Sequence, residues 1–418
     1  MPETAAAEVR TALARVRETG AALRRRPLRE RVLALGRVLE RFRAADSPQR
    51  RRLERELPEA TGFTPATLRE GLERALALYS AAALEALVER ELGALGKGRL
   101  ASGFDVTSVL LGGGVPLPVL PALLGPLVLG SPVLARTSSH DPVTARVFAE
   151  ALAEEDAELA ASLAVVSFPS DDDAALAELL AVPCTVAFGS DETMAALAPR
   201  LRGERFVRHG HRLSVAVLGA ATQEGAPLAE AAAALALDVA LWDQQGCLSP
   251  VALYVLGAER VPEPVFAALA EAFAAAAVRW PRGRALPDAT ARFGVESDTA
   301  ELRAAAGAEV RVVRGRDFTL VAEPDAAFRG SPLGRFLRIH PAPDPAELFA
   351  ALAPLGPKLA AVGVAGLGSL AGRLEPELAG LGAARVCPLG QLQTPPLAWP
   401  HDQPGVLLPL LRLTDVEE

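Results

Sequence analysis

The residue with the clearest potential for covalent chemistry is Cys247, in the segment DQQGCLSP at residues 243–250. A thiol acts as a nucleophile when its pKa is lowered and a carbonyl is held beside it. The amides of Gln244 and Gln245 can orient a ligand here, and Gly246 gives the backbone freedom next to the cysteine. Cys247 and Gln245 are therefore candidate catalytic residues, and packing of Cys247 as a small hydrophobic residue is the alternative.

Two further cysteines and a pair of histidines complete the candidate nucleophiles and bases. Cys184 opens a predicted buried strand and Cys387 lies between two apolar residues, so both are interpreted as structural. The segment RHGHRLS at 208–214 places His209 and His211 just before a predicted strand, where an imidazole could activate the thiol. Metal ligation by the two histidines is the alternative. No other His or Cys stands at a suitable spacing, so no metal site is predicted.

A second group of residues suits a nucleotide. In TVAFGSDETMAAL (185–197) a predicted strand ends before Gly189, and Ser190 can cap the helix that follows. The N–H groups and the dipole of such a helix start suit a phosphate, although an ordinary capped turn has the same spacing. Arg136 and Ser138, at the end of another predicted strand, add a cation and a hydroxyl that could reach a ribose or its 2′-phosphate.

The segment GLGSLA (366–371) matches the dinucleotide pattern G-x-G-x-x-A, but this match alone is weak. The acidic residue that should follow about twenty positions later is missing, since 386–396 reads VCPLGQLQTPP. A tight turn between a strand and a helix is the preferred interpretation.

Short apolar segments that alternate with alanine-rich helical segments must position these residues. Strands are predicted at 106–111, 132–136, 163–167, 184–188, 213–218, 251–257, 309–313, 317–322, 335–340 and 358–364. Helices are predicted at 118–129, 141–154, 172–181, 191–201, 227–242, 262–280 and 344–354, and throughout 1–96. Such alternation is typical of an α/β fold with parallel sheets.

The chain divides into four predicted segments. They are an N-terminal helical region at 1–96, a nucleotide-binding α/β domain at 97–242, a catalytic α/β domain at 243–385, and a C-terminal segment at 386–418 that packs across both domains. Residues 97–104, GKGRLASG, are interpreted as a turn-rich junction. The α/β pattern restarts after Cys247, so two predicted α/β units meet near residues 243–250, and small-molecule sites favour such junctions.

The overall composition excludes several classes of function. The 418 residues are 50% hydrophobic and 22% charged, as expected of a folded globular protein. A net charge of −8 argues against a nucleic-acid-binding surface, and the N-terminal arginine runs are interleaved with glutamates as on solvated helix faces. Three cysteines make no disulfide framework, so a reducing cytoplasm is the expected location.

Residues 106–135 carry no charge and exceed the ~20 residues that a membrane span needs. Five prolines and five glycines would interrupt a helix there and leave backbone groups without partners in lipid. A buried strand, a short helix and a second buried strand fit the segment better, so no membrane span is predicted.

Six of these segments, taken in order, resemble the bioluminescence-type (LuxC-like) fatty acyl-CoA reductases, a branch of the aldehyde dehydrogenase superfamily. DQQGCLSP resembles the family's active-site cysteine motif, GGGVPLPVL falls at its Gly-Asn-x-Pro loop, and VLARTSSHDP falls at its cofactor-binding Lys-x-Ser-Ser segment. FGSDET resembles its nucleotide-contacting turn, and RHGHRLS and GQLQTPPLAWPHDQPG match in order. The resemblance covers about residues 90–405. It implies an aldehyde-dehydrogenase-like α/β fold with cofactor-binding and catalytic domains.

The resemblance also implies a reaction in two steps. The Cys247 thiolate attacks the thioester of acyl-CoA or of an acyl carrier, and a hydride from NADPH then reduces the acyl-cysteine to an aldehyde. His209 or His211 falls near the glutamate base of the wider superfamily, and a reductase needs no base to activate hydrolytic water. The implied cofactor contacts are Gly113, Gly114, Gly189, Ser190, Arg136 and Ser138. A homo-oligomer is expected, and a protein that donates the acyl group is a candidate partner.

Two positions depart from the family pattern. Gly114 stands where the loop asparagine would donate to the oxyanion, and the loss of one such donor can cost about 10²–10³ in rate. Arg136 replaces a lysine and keeps the charge with a different geometry. Gly114 motivates the main alternative, a catalytically impaired homologue that binds nucleotide or acyl chains or serves as a partner subunit. A thioesterase that hydrolyses acyl-Cys247 is a third hypothesis, and the lack of a well-placed glutamate argues against it.

Overall fold

A computed structural model describes residues 2–95, 99–285, 287–401 and 403–417. The chain forms two compact units. The first unit comprises Met1–Thr61, Leu72–His211 and Pro396–Glu418, and the second comprises Gly62–Gly71 and Arg212–Pro395. The predicted α/β class is confirmed, with an all-parallel sheet in the first unit and a mostly parallel sheet in the second.

The N-terminal region is helical, as its spacing predicts. Apolar residues at every third or fourth position give each helix one buried face, such as Val32, Leu35, Val38 and Leu39 in the second helix. The five helices are α1 (Pro2–Arg25), α2 (Leu28–Arg43), α3 (Pro48–Thr61), α4 (Pro65–Leu76) and α5 (Ala81–Leu92).

A two-stranded antiparallel ribbon replaces part of the predicted junction at 97–104. It consists of β1 (Arg99–Gly103) and β14 (Leu411–Asp415), and Arg99 pairs with Asp415. The prediction of a turn was wrong for 99–103, because these residues pair with a strand more than 300 residues away in the chain. Residues 97 and 98 lie outside the described residues.

The first unit contains a five-stranded, all-parallel sheet in the order β4-β3-β2-β5-β6. Its strands are β2 (Thr107–Leu110), β3 (Val133–Arg136), β4 (Leu163–Val166), β5 (Cys184–Phe188) and β6 (Arg205–His209). Five helices connect them: α6 (Val119–Val128), α7 (Thr144–Glu155), α8 (Ala157–Ala160), α9 (Asp173–Leu179) and α10 (Asp191–Leu197). The uncharged 106–135 segment thus forms β2, the fully buried α6 and β3.

The second unit contains a seven-stranded sheet in the order β13-β12-β7-β8-β11-β10-β9, antiparallel only between β9 and β10. Its strands are β7 (Leu213–Leu218), β8 (Pro250–Leu256), β9 (Arg311–Arg314), β10 (Thr319–Ala322), β11 (Phe336–Ala342), β12 (Leu359–Ala365) and β13 (Arg385–Pro388). The central strand β8 is buried along its whole length, which explains its unbroken apolar sequence.

Five helices cover this sheet. They are α11 (Gly225–Ala240), α12 (Glu263–Arg279), α13 (Pro287–Ala305), α14 (Pro345–Leu352) and α15 (Ala371–Gly380). The segment Gly225–Gln244 is long and apolar enough to cross a membrane by length and composition, and most of it is buried inside the fold. Its apolar residues therefore serve as core in this structure.

The predicted strands and helices occur within a few residues of their predicted bounds. Within the described residues, seven helices and strands were not predicted: β1, β6, α8, α13, α15, β13 and β14. The turn at 366–371 is confirmed, since Gly366 and Gly368 have φ of +67° and +54° between β12 and α15. A Cβ on Gly366 would lie 2.2 Å from the Thr222 hydroxyl, so close packing requires this glycine.

Candidate active site

All the predicted cofactor residues lie at one edge of the sheet in the first unit. The order β4-β3-β2-β5-β6 reverses direction between β2 and β5, and ligands of open α/β sheets bind outside the carboxyl ends of the strands at such a switch point. Gly113 and Gly114 follow β2, and Gly189 and Ser190 follow β5, so the two central loops of this edge carry four of the predicted residues.

The loop after β2 is built from glycines with different constraints. A Cβ on Gly112 would lie 2.4 Å from the Phe188 carbonyl oxygen, so only glycine permits this approach of the two central loops. Gly113 has φ of +74° and no other group within 4 Å of its Cβ position. A Cβ on Gly114 would make ordinary contacts, 3.6 Å from the Cβ of His140 and 3.9 Å from that of Thr61. The loop therefore leaves space beside Gly113 and room for a side chain at Gly114.

The turn after β5 has the capped geometry that the sequence predicts. The Ser190 side chain accepts a hydrogen bond from the Thr193 N–H (3.2 Å), and the Gly189 N–H donates to the His209 carbonyl (3.1 Å). Asp191 and Glu192 occupy the first turn of α10, and Asp191 Oδ1 accepts the His211 N–H at 3.0 Å. The capping bond uses Ser190 Oγ as an acceptor, while its side chain remains exposed.

Arg136 lies at the end of β3, where the strand reaches the same edge. Its Nε and one terminal nitrogen donate to the Phe168 carbonyl at 3.1 and 2.9 Å, and its guanidinium lies 5.0 Å from the centre of the Phe168 ring. Burial lowers the pKa of this guanidinium from its ordinary value, yet an arginine remains charged. The structure thus holds the Arg136 guanidinium in place after β4. One of its two terminal nitrogens takes no part in the bonds to Phe168.

Residues 137–141 continue this edge with hydroxyls and one buried acid. Ser138 Oγ accepts the His140 N–H at 3.1 Å. Asp141 is buried and accepts the N–H groups of Val143 and Thr144 at 3.0 and 2.9 Å. Burial raises the pKa of Asp141. Residues 137–139, next to the predicted ribose contacts, are Thr, Ser and Ser and carry no carboxylate.

The two candidate histidines have different surroundings. The His209 ring, at the end of β6, stacks on Phe188 with centroids 4.4 Å apart and lies 5.2 Å from the His401 ring. His211 is exposed, and its backbone N–H binds Asp191. His209 is thereby oriented by ring packing, whereas the His211 side chain faces solvent.

The rings around His209 belong to an apolar cleft that the sequence did not reveal. The cleft is lined by residues of α6, β5, β6 and the C-terminal segment. Its lining includes Ala122, Val186, His209, Trp399, His401 and Leu410. The Pro-rich tail gave no periodic signal, so only the tertiary fold shows that Trp399 and His401 belong beside β6.

Cys247 lies in the second unit, in a turn just before the central strand β8. Of the three cysteines, all within the described chain, Cys247 is the exposed one. The Ser249 N–H donates to the Gly246 carbonyl (2.9 Å), and the Ser214 hydroxyl donates to the Cys247 carbonyl (2.8 Å). Gln245, the other predicted catalytic residue, is exposed next to this turn. The turn presents the thiol to solvent while hydrogen bonds hold its backbone.

The other two cysteines are structural, as predicted. Burial raises the pKa of Cys184 to about 12 and that of Cys387 to about 11. Both thiols therefore stay protonated near neutral pH, and a thiolate is the reactive form of cysteine. Exposure leaves Cys247 as the candidate nucleophile.

The family model of acyl-CoA reductases (LuxC) matches residues 29–415. This chain belongs to the acyl-CoA reductase (LuxC) family. It is accordingly an oxidoreductase, and its reaction is the reduction of an acyl thioester to an aldehyde. The resemblance of the six sequence segments is thereby confirmed at the level of the family.

Individual relatives agree with this assignment. The chain is 26% identical over 329 residues to a long-chain acyl-protein thioester reductase of Aliivibrio fischeri, covering 75% of this chain and 67% of that one. It is 24% identical to long-chain acyl-protein thioester reductase 2 of Photobacterium leiognathi, covering 57% of this chain and 49% of that one. The chain thus spans between about half and two thirds of these relatives' length.

Solved structures show the fold of the LuxC-family chain. An NAD-dependent aldehyde dehydrogenase from Sinorhizobium meliloti superimposes with a TM-score of 0.73 at 17% identity, covering 98% of this chain and 86% of that one. The predicted aldehyde-dehydrogenase-like fold is confirmed.

Proposed function

We propose that this LuxC-family enzyme reduces its acyl thioester with NADPH through an acyl-Cys247 intermediate. The observation that carries the proposal is the exposed Cys247 in a hydrogen-bonded turn, while the other two thiols are buried. A covalent intermediate divides a difficult reduction into two easier steps.

The first step transfers the acyl group to the protein. The Cys247 thiolate attacks the thioester carbonyl, the C–S bond to the donor breaks, and the donor leaves as a thiol after it takes a proton. The imidazoles of His209 and His211 are candidate sources of that proton. In the second step the acyl carbon gains a hydride and its bond to Cys247 breaks, which yields the aldehyde and regenerates the thiolate.

The edge of the first sheet fits a dinucleotide. Gly113 leaves backbone open at the switch point, and Ser138 and Ser190 supply hydroxyls beside it. When bound there, NAD(P)H supplies the hydride. Arg136 provides a positive charge for a 2′-phosphate, and the lack of a carboxylate at 137–139 removes a group that would repel it. These residues favour NADPH over NADH.

The acyl donor and chain are proposed from the relatives and from the cleft. The relatives are named for long-chain acyl-protein substrates, so an acyl carrier protein or another acylated protein is the proposed donor, with acyl-CoA as a simpler substitute. The apolar cleft beside His209 suits an acyl chain, because Ala122, Val186 and Leu410 offer apolar surface. A homo-oligomer and an acyl-donor partner protein remain predictions.

Gly114 supports a second candidate function, an enzyme slowed to the point of being a binding or partner subunit. No side-chain amide stands at this position of the loop after β2, so an oxyanion would lose one donor. The two functions make different predictions for a covalent adduct, because only a catalytic chain becomes acylated on Cys247.

An aldehyde assay tests the proposed function. Acyl-CoA or acylated carrier protein is mixed with the enzyme and with NADPH or NADH, and aldehyde is trapped and quantified. We expect aldehyde from wild type with a preference for NADPH, and a loss on the order of 10⁴-fold or more in Cys247→Ala. Cys387→Ala is the matched control and should keep its activity. Equal aldehyde from wild type and Cys247→Ala with all donors would refute the proposal.

A further inference from the structure

The chain before Cys247 has an unusual backbone. Trp242, Asp243 and Gln244 have φ of +57°, +49° and +63°, the left-handed region that costs non-glycine residues roughly 1–2 kcal/mol each. A second left-handed segment occurs at Leu333, Gly334 and Arg335, with φ of +67°, +72° and +73°. Within the described residues, five of the six non-glycine residues with positive φ belong to these two segments.

The two left-handed segments are bonded to each other through Gln244. Its Oε1 accepts the N–H groups of Arg335 and Phe336, both at 2.9 Å. Its Nε2 donates to the carbonyls of Pro250 and Phe336 at 2.8 and 2.9 Å. The buried amide thus uses both lone pairs and both hydrogens. This set of bonds cannot form unless residue 244 holds its present orientation.

A buried ion pair reinforces the same contact. Arg335 donates to Asp243 Oδ1 at 2.6 and 3.0 Å and to the Trp280 carbonyl at 2.6 Å. Asp243 Oδ2 accepts the Gly283 N–H at 3.0 Å. Both charged side chains are at most 5% exposed, so breaking the pair would leave a buried charge without compensation.

The segment 242–244 also has unfavourable features, which the packing around it must offset in free energy. The buried Trp242 indole N–H has no hydrogen-bond partner within the described chain, and a Cβ on Gly71 would lie 2.4 Å from the Trp242 ring. Strained backbone that the surroundings over-determine clusters at functional sites. The strained segment here ends three residues before Cys247.

Backbone hydrogen bonds connect the strained segment 242–244 to the turn that contains Cys247. The Gln245 N–H donates to the Trp242 carbonyl at 2.9 Å, and the turn closes at Gly246–Ser249. On the far side, the Gln393 amide donates to Ser249 Oγ at 2.9 Å. The backbone at 247 is therefore fixed from both directions.

We infer that Asp243, Gln244 and Arg335 are positioning residues that set the orientation of the Cys247 thiol through the left-handed backbone at 242–244. The inference rests on the proposed role of Cys247 as acyl acceptor. These three side chains act through the backbone and are not themselves assigned to contact the acyl group. Gln245, exposed beside the turn, is excluded from this set.

Two substitutions of Gln244 separate backbone orientation from loss of contacts. Gln244→Ala and Gln244→Gly remove the same four side-chain hydrogen bonds, but only glycine adopts positive φ without strain. We expect Gln244→Ala to lower the single-turnover rate constant for acyl transfer to Cys247 about 100-fold, and Gln244→Gly to recover at least about tenfold of that loss. The donor concentration at half-saturation should change little in either variant.

The measurement follows the acyl-adduct mass on Cys247 over time, with acyl-CoA and without NADPH. A positioning role lowers the rate constant while the final amplitude stays at one adduct per folded chain. A merely structural role lowers the amplitude and leaves the rate constant of the folded fraction unchanged. Equal rate constants for wild type, Gln244→Ala and Gln244→Gly would overturn the inference.

Glu323→Gln supplies the matched control. Glu323 is buried in the same unit and bonded to Arg303 and Arg338 at 2.7 and 2.6 Å, and it has no bond to residues 242–247. We expect a lower unfolding midpoint with an unchanged rate constant. A rate constant that falls as far as in Gln244→Ala would show that general destabilisation explains the effect, and would also overturn the inference.

The design also distinguishes failure of the proposed function. If wild type takes up no acyl group, Cys247 is not the acyl acceptor and the proposed function fails. Alkylation of Cys247 by iodoacetamide, followed by peptide mass spectrometry, still tests positioning in the same proteins. The inference then requires that the alkylation rate constant differ between wild type and Gln244→Ala and return toward wild type in Gln244→Gly. Identical alkylation rates in all three would overturn it.

Discussion

The loop before Cys247 and the loop after β2 are stabilised in opposite ways. Residues 242–244 are large or polar, and their strained backbone is held by a buried ion pair and a fully bonded amide. Residues 112–114 are three glycines, and their conformation depends on the absence of side chains. A loop of the first kind tolerates little substitution. In the second, Gly112 is confined by the Phe188 carbonyl, whereas Gly114 has room for a side chain.

Among changes that leave Cys247 in place, the largest expected effect is a gain of activity in the glycine loop. Gly114→Asn adds an amide at the position where the family has its oxyanion donor, and its Cβ would make only ordinary contacts with His140 and Thr61. We expect the rate constant of acyl transfer to rise by about 10²–10³, the effect of one oxyanion donor. Rapid-quench measurement of the released thiol checks it.

Gly114→Ala is the control for this gain, because it adds the Cβ without the amide. It should leave the rate unchanged. If the asparagine and alanine variants have the same rate, the loop does not face the reacting carbonyl in the way the family resemblance implies.

In the loop before Cys247, the corresponding test introduces a steric clash with Trp242. Gly71→Ala places a methyl group 2.4 Å from the Trp242 ring, and such overpacking costs about 1–3 kcal/mol. We expect a lower unfolding free energy together with slower acylation of Cys247, because Trp242 must shift. Chemical denaturation and the adduct time course measure the two effects. Gly294→Ala, in α13 with no group within 4 Å, should show neither.

The neighbouring residues Gln244 and Gln245 allow a comparison of a buried and an exposed glutamine in the same loop. Gln245 is exposed, so Gln245→Ala should leave the unfolding free energy within about 0.5 kcal/mol of wild type. Loss of one orienting hydrogen bond to the substrate should lower kcat/KM about tenfold or less. Steady-state kinetics and denaturation together check this prediction. A large loss of stability would place Gln245 with Gln244 among the residues that hold the loop.

The smallest effect is expected at a pair outside both loops. Arg26 bonds to Asp156, which caps α8, and this hydrogen bond holds the pKa of Asp156 below its usual range. The stabilisation is present above the ordinary Asp pKa of about 4 and is lost as pH falls through the lowered pKa. Asp156→Asn keeps a capping side chain, so it should cost about 1 kcal/mol at pH 7 and progressively less below pH 4.

Thermal unfolding from pH 2.5 to 7 checks the sign of this dependence. A difference between wild type and Asp156→Asn that grows on acidification would contradict the role given to the pair.

Much of the fold could be predicted because its strands are buried and parallel. Uninterrupted apolar runs such as residues 251–256 of β8 signal this class of strand whatever their partners are. The β1–β14 ribbon could not be predicted, since RLASG at 99–103 has no strand pattern and gains its structure from residues 411–415.

The residue types of the candidate site could be predicted from the sequence, but the backbone conformation that positions Cys247 could not. Cys247 and the glycines after β2 and β5 are visible as motifs. The left-handed backbone at 242–244 leaves little local signal, because Trp and Gln rarely adopt it and a single Asp does not specify three such residues in a row. Arg335 and Phe336, some ninety residues later, hold it through hydrogen bonds to Gln244, and Pro250 and Gly283 add further bonds.

The most direct test of the central claim is the mass of the intact protein after incubation with acyl-CoA and no NADPH. The account predicts one acyl adduct on Cys247, absent from Cys247→Ala and discharged as aldehyde when NADPH is added. An unmodified protein, an adduct on another residue, or release of free acid without NADPH would contradict it.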